Sequence, residues 1–247
     1  MKSTIRKIHR WLGLLMALQI MAWMASGLFF AVFPIETIRG EHLTRPTEKL
    51  DPEGLLDLVP AWVAWNNTAI HLGEEITDGS LSVVSRDGTA YYRISGTAAG
   101  QPFVRLVDGA SGAVAPRIGP QGVEELALAT LAVPGTIAAV DWITELEPGS
   151  EVRGRSVPLW RVRFSQPESL NLWIEPWTGE ILARRTTRWR IFDFLWMLHI
   201  MDFDEREDFN TPLLMTASFL GLLIALSGVI YWAMTTKLFR RKVVVEA

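Results

Sequence analysis

Hydrophobic and polar positions alternate in three different ways along this chain. From Trp11 to Phe33 the residues are apolar and uncharged, with Gln19 and Ser26 the only clearly polar side chains. A second uncharged run, "TPLLMTASFLGLLIALSGVIYWAMTT", covers 211–236. At about 1.5 Å per residue each reaches roughly 35 Å, enough to cross a hydrocarbon core of about 30 Å. Both runs predict membrane-spanning helices. A cleaved signal peptide is the competing reading of the first run. Its apolar part is too long for that and no A-x-A-like site follows, so an uncleaved anchor is expected.

Between the spans the pattern is that of a mixed fold. Residues 34–52 are linker-like, with Pro34, Gly40, Pro46 and Pro52 set among charges. Two candidate helices follow, "PEGLLDLVPAWVAWN", which Pro60 should bend or split, and "GPQGVEELALATL". Each precedes β-rich stretches. "SLSVVSRDGTAYYRIS" carries Asp87-Gly88 as a hairpin signal. In "PLWRVRFSQPESLNLWIE", Leu159, Arg161 and Arg163 should face one way and Trp160, Val162 and Phe164 the other. "VDGASGAV" (107–114) and "IEPWTGEI" (174–181) align at a constant offset, each with an acid, a hydroxyl residue and a glycine at the same spacing. The glycine supplies positive φ, and the acid or hydroxyl bonds the turn backbone. A tandem repeat is the favoured reading, over two generic α+β units that share only turn chemistry.

Charge supplies the orientation. Lys2, Arg6, Lys7 and Arg10 precede the first span, and Lys237, Arg240, Arg241 and Lys242 follow the second. By the positive-inside rule both termini are cytoplasmic, and residues 34–210 lie outside. Setting those eight basic residues and Glu246 aside from totals of 24 basic and 27 acidic leaves the remainder about ten charges negative. Such a surface excludes nucleic acid as a partner. With no cysteine there is no disulfide framework, thiolate metal site or thiol nucleophile.

In order along the chain stand "RKIHRWLGL" at the first span, units ending in "WTGEIL", "LH" upstream of the last span, and "LSGVIYW" near its end. In these features the chain resembles the PepSY-associated transmembrane family, iron-regulated bacterial inner-membrane proteins. The resemblance covers nearly the whole chain. It departs in size, because larger relatives have four or more spans. It implies an α+β fold of two PepSY-like helix-plus-antiparallel-strand repeats with one transmembrane helix at each end. The boundaries read as a basic N-terminus (1–10), helix 1 (11–33), linker (34–52), repeat 1 (53–117), repeat 2 (118–185), an interfacial amphipathic helix with an acidic collar (186–210), helix 2 (211–236) and a basic tail (237–247). Larger relatives that reduce siderophore-bound iron carry b-type haems on membrane histidines, which makes His9 and His199 candidate haem ligands. The PepSY name also implies an inhibitory or chaperone role rather than protease activity.

Taken by themselves, the candidate residues have plainer roles. His199 closes an arginine- and tryptophan-rich segment suited to the outer membrane interface, where an imidazole reaches headgroups; neutral imidazole also suits iron. His9 lies at the opposite face, so the two cannot share one haem within a chain, and any haem needs a symmetry mate or a partner subunit. His42 and His71 read as surface histidines. Asp202, Asp204, Glu205, Glu207 and Asp208 suggest a hard-cation site, but the EF-hand pattern fails at Arg206, Glu207 and Leu213. Their competing role is a solvated collar, with Asp208 or Asn210 capping the second span. Rows of small residues (Ala217, Gly221 and Ala225; Gly13 and Ala17; Ala22 and Ser26) favour helix–helix packing. Nucleophile-elbow, zincin, P-loop and dinucleotide patterns are absent.

The leading expectation is a non-catalytic inner-membrane module whose periplasmic part binds a partner in iron acquisition. Its partners are then the bilayer and a second copy or another membrane or periplasmic protein. The competing expectation is a haem b electron-transfer subunit of a ferric reductase, and a third is a periplasmic cation binder.

Overall fold

The computed structural model describes residues 2–46, 55, 57–86 and 88–235, and for residues 2–9 the backbone alone. The fold is α+β, with two compact units: Met1–Ile35 together with Arg190–Ala247, and Glu36–Trp189. The hairpin signal at Asp87 and the basic tail from Lys237 onward lie outside the described residues.

The central unit builds the same motif twice. Helix α3 (Ala61–Leu72) precedes an antiparallel sheet of β1 (Thr77–Arg86), β2 (Thr89–Ala98) and β3 (Gln101–Asp108). Helix α4 (Pro120–Thr130) precedes β4 (Thr136–Ile143), β5 (Leu159–Gln166), β6 (Asn171–Ile174) and β7 (Ile181–Arg185), in that order in a second antiparallel sheet. Ala64 and Thr68 on α3, like Val123 and Ala127 on α4, are fully buried against their sheets. Trp160, Val162 and Phe164 point into the second core, while Arg161 and Arg163 bind Asp141 on the opposite face, as the alternation predicts. Burial would raise the Asp141 carboxyl, but Arg163 and Arg161 hold it below the usual range.

The repeat extends to individual hydrogen bonds. Gly112 and Gly179 have φ of 72° and 73°, and each N–H donates to the carbonyl of its turn's acid, Asp108 or Glu175, at 2.9 Å. Those carboxylates accept from Ser111 N–H and from Thr178 N–H. Val59 N–H reaches Gly109 O at 2.7 Å, and Ile118 N–H reaches Pro176 O at 2.8 Å. In each core an aromatic on the second strand donates to a carbonyl just before the helix: Tyr92 Oη to Val59 O, and Trp160 Nε1 to Ile118 O. A buried donor must find a partner, and both units give it the same one.

Two local expectations change. Pro60 precedes α3 rather than bending it, because its missing N–H is harmless just ahead of the first helical turn. The start of the linker is part of the core. Ile38, in the short helix α2 (Ile35–Ile38), is 1% exposed, and Leu43 joins the second core. Backbone bonds from Arg45 N–H to Thr130 O and from Ala132 N–H to Leu43 O pin that segment alongside residues 130–132.

In the other unit, α1 (Lys2–Val32) and α6 (Pro212–Thr235) contain stretches long and apolar enough to cross a membrane, Arg10–Val32 and Pro212–Ile230. Leu14, Leu18, Met21 and Leu28 on α1, and Phe219, Leu222, Leu226 and Val229 on α6, are exposed, as lipid-facing residues must be. Thr211 caps α6 by accepting the Leu214 N–H, in place of the expected Asp208 or Asn210. Of the small-residue row, Ala217 and Gly221 are buried against α1, with Met16 Cε 3.4 Å from where a Gly221 Cβ would stand. Ala225 is exposed, and Gly13 has no neighbour within 4 Å.

Candidate functional site

One polar constellation in the membrane unit centres on His199, in the last turn of α5 (Thr187–Ile200). The helix carries it alongside the C-terminal half of α1: Phe192 lies 4.8 Å from Phe30, and about two turns on along α5 and one turn back along α1 His199 meets Ser26. The contacts run in opposite senses, so α5 is antiparallel to α1. Ser26 Oγ is 2.7 Å from His199 Nδ1, and also 2.8 Å from Ala22 O and 3.0 Å from Trp23 O. Trp23 Nε1 donates to the His199 carbonyl at 2.8 Å, satisfying an acceptor that the helix end leaves open. His199 is therefore held twice, by side chain and by backbone, against a helix 173 or more residues away in sequence.

Aromatic rings wall the site. Trp196 lies parallel to the His199 ring with centroids 6.4 Å apart, and Phe30 meets it edge-on at 5.5 Å. Trp196 is itself fixed by Phe192, Phe209 and a hydrogen bond from its Nε1 to Arg206 O. Burial lowers the His199 pKa. Among the described residues, Nε2 of His199 has no hydrogen-bond partner.

The loop after α5 spends its acidic residues differently from a cation site. Asp202, 8% exposed, turns inward and accepts the backbone N–H groups of Asp204, Glu207 and Asp208. Those bonds, the one from Asp208 foremost, hold its carboxyl below the usual range. Asp204, Glu205, Glu207 and Asp208 are exposed. No three His, Cys, Asp or Glu side chains among the described residues gather as metal ligands. Asp193, buried in the middle of α5, pairs with Arg206 and ties the loop back to the helix. Sequence reading missed this pair, although a lone carboxylate in "RIFDFLW" was its signal.

The remaining histidines stand apart. His9 lies on α1 seventeen residues before Ser26, about 25 Å along the helix at 1.5 Å per residue, so the structure does not bring it to His199. In the central unit His42 sits 3.5 Å from Glu168, and His71 is exposed. One further polar group lies on α1: the buried Nε2 of Gln19 has no hydrogen-bond partner among the described residues.

As a haem ligand, His199 fits on chemistry. It offers an imidazole anchored on its Nδ1 side, beside the Trp196 and Phe30 rings. One chain supplies one such nitrogen at this level. No curated protein and no solved structure matches the chain. The model of the PepSY-associated TM region family matches residues 6–244. Matched over nearly its whole length, with two membrane-length helices enclosing a duplicated α+β unit, the chain is a membrane-associated member of the PepSY-associated TM region family.

Proposed function

We propose that the protein is a two-pass inner-membrane electron-transfer subunit in bacterial iron acquisition, in which His199 would hold a b-type haem. The observation that carries this reading is the setting of His199: anchored through Nδ1 on Ser26, and with Nε2 unpartnered among the described residues. A partner-binding module, ranked first on sequence, needs no such constellation in its membrane anchor. Basic flanks at both ends favour cytoplasmic termini and a periplasmic central unit. Haem bound there would supply one-electron chemistry at the outer membrane face. Any second protein ligand would come from a second copy or a partner subunit, because His9 is about 25 Å away along α1. His9 is proposed to play the same part near the inner face.

The test is the absorption spectrum of the full chain purified from haem-replete cells. A Soret band and an α-band that sharpens on dithionite reduction are expected. His199→Ala should remove one haem population and His9→Ala the other. A colourless protein, unchanged by either substitution, would return the function to the central unit as a partner-binding module. Reporter fusions after residue 45 and at the C-terminus test the orientation. They should read periplasm and cytoplasm respectively, and a periplasmic C-terminus overturns it.

A further inference from the structure

We infer that Ser26 is a positioning residue that locks His199 in the Nδ1–H tautomer, so that the open nitrogen is Nε2. Ser26 has one hydroxyl hydrogen and three oxygen or nitrogen neighbours within 3.0 Å. In a membrane helix a serine hydroxyl donates to the carbonyl one turn back, here Ala22 O at 2.8 Å or Trp23 O at 3.0 Å. Its lone pairs then face His199, and the 2.7 Å contact is completed by Nδ1–H donating to Oγ. The reverse arrangement would take the serine hydrogen away from its own helix carbonyls, both within 3.0 Å, so the first arrangement wins. Ser26 is 1% exposed, so neither water nor lipid headgroups compete for its hydroxyl. The result is a Lewis base aimed by a hydrogen bond on its far side, as metal-bound imidazoles are. The ligand class is an electron-pair acceptor, a haem iron under the function proposed above. The inference rests on that reading for its ligand, while the tautomer is measurable without any haem.

The full chain, labelled with 15N-histidine and produced under haem limitation, can be studied by NMR in lipid nanodiscs, with His199 signals identified by their loss in His199→Gln. The wild type should show a protonated Nδ1 and a bare, pyridine-like Nε2. Ser26→Ala should lose that signature to a mixture of tautomers, and Ser26→Thr, which keeps the hydroxyl, should retain it. Titration with hemin should then give an affinity about tenfold or more weaker for Ser26→Ala than for wild type, with Ser26→Thr near wild type. A protonated Nε2 in the wild type, or a Ser26→Ala spectrum like the parent's, overturns the inference. So does a hemin affinity unchanged in a Ser26→Ala chain that has lost the tautomer. Wild-type protein that holds the tautomer but binds no hemin sinks the haem reading and leaves the role of Ser26 standing.

Discussion

The central unit and the membrane unit use polar bonds in opposite ways. In the central unit the defining bonds come in pairs. An acid closes each turn, a peptide N–H ties each helix start to a turn carbonyl, and an aromatic polar edge meets the carbonyl before each helix. Repetition is an internal control: a bond found at the same place in two diverged copies is holding the fold, whatever the copies have become. Around His199 nothing is repeated. Ser26, Trp23, Trp196 and the Asp193–Arg206 pair form one arrangement, in helices that lipid contact and apolar packing alone would hold. A polar group in a membrane unit is expensive and needs a reason. The contrast separates bonds that hold a duplicated scaffold from a single constellation, the one on which the proposed function rests.

The largest expected effect tests where the scaffold begins. A fragment of residues 36–189 should melt cooperatively, whereas one of residues 47–185 lacks Ile38 and Leu43, both at most 5% exposed. Each such side chain is worth about 1.5–3 kcal/mol of burial, so the shorter fragment should be destabilised by several kcal/mol. Equal melting of the two fragments in denaturant would remove the segment from the core.

That segment also marks the limit of what the sequence reveals. The turns at 107–114 and 174–181 are legible because an acid, a hydroxyl and a glycine at fixed spacing dictate a local conformation. Ile38 and Leu43 are isolated aliphatics among prolines and charges, with no period to betray them, and only tertiary contact makes them core. The site divides in the same way. His199 stands out as a lone imidazole in an apolar segment, and Ser26 as one of two polar side chains in its span, but the bond between them joins chain positions that no pattern links. The carboxylates after α5 were legible as charges, whereas the inward turn of Asp202 depends on loop backbone that composition does not specify.

A smaller effect should separate the two repeats. Gly112→Val and Gly179→Val both force a β-branched residue to positive φ, at about 1–2 kcal/mol each. At Gly179 the new Cβ also meets Leu126 and Ile118 at 3.1 and 3.2 Å, against 3.3 Å or more at Gly112. Gly179→Val should therefore be the more destabilising by thermal melt, and equal losses would mean that strain alone decides.

The smallest effect lies in the acids of the same two turns, which have moved in opposite directions. Asp108 is partly exposed at its turn, and the Ser111 hydroxyl and N–H hold its carboxyl below the usual range. Glu175 is half-buried, and burial raises it in spite of the Thr178 and Trp177 N–H groups and the nearby Arg105. The signs follow from proton binding. With its folded value depressed, Asp108 adds stability above the ordinary carboxylate range, and that stability disappears as pH falls through the depressed value. Folded Glu175 binds its proton more tightly than the unfolded chain does, so its contribution weakens as pH rises from the ordinary range through its raised value. Asp108→Asn should accordingly lower the denaturation midpoint at pH 7 and converge with wild type in acid. Glu175→Gln keeps an oxygen to accept the turn N–H groups, and should match or slightly exceed wild type at pH 7 while losing that advantage in acid. Midpoints of both variants measured across the acid-to-neutral range decide the matter. A Glu175→Gln loss at pH 7 as large as that of Asp108→Asn would show that the two turns share their electrostatics as well as their bonds.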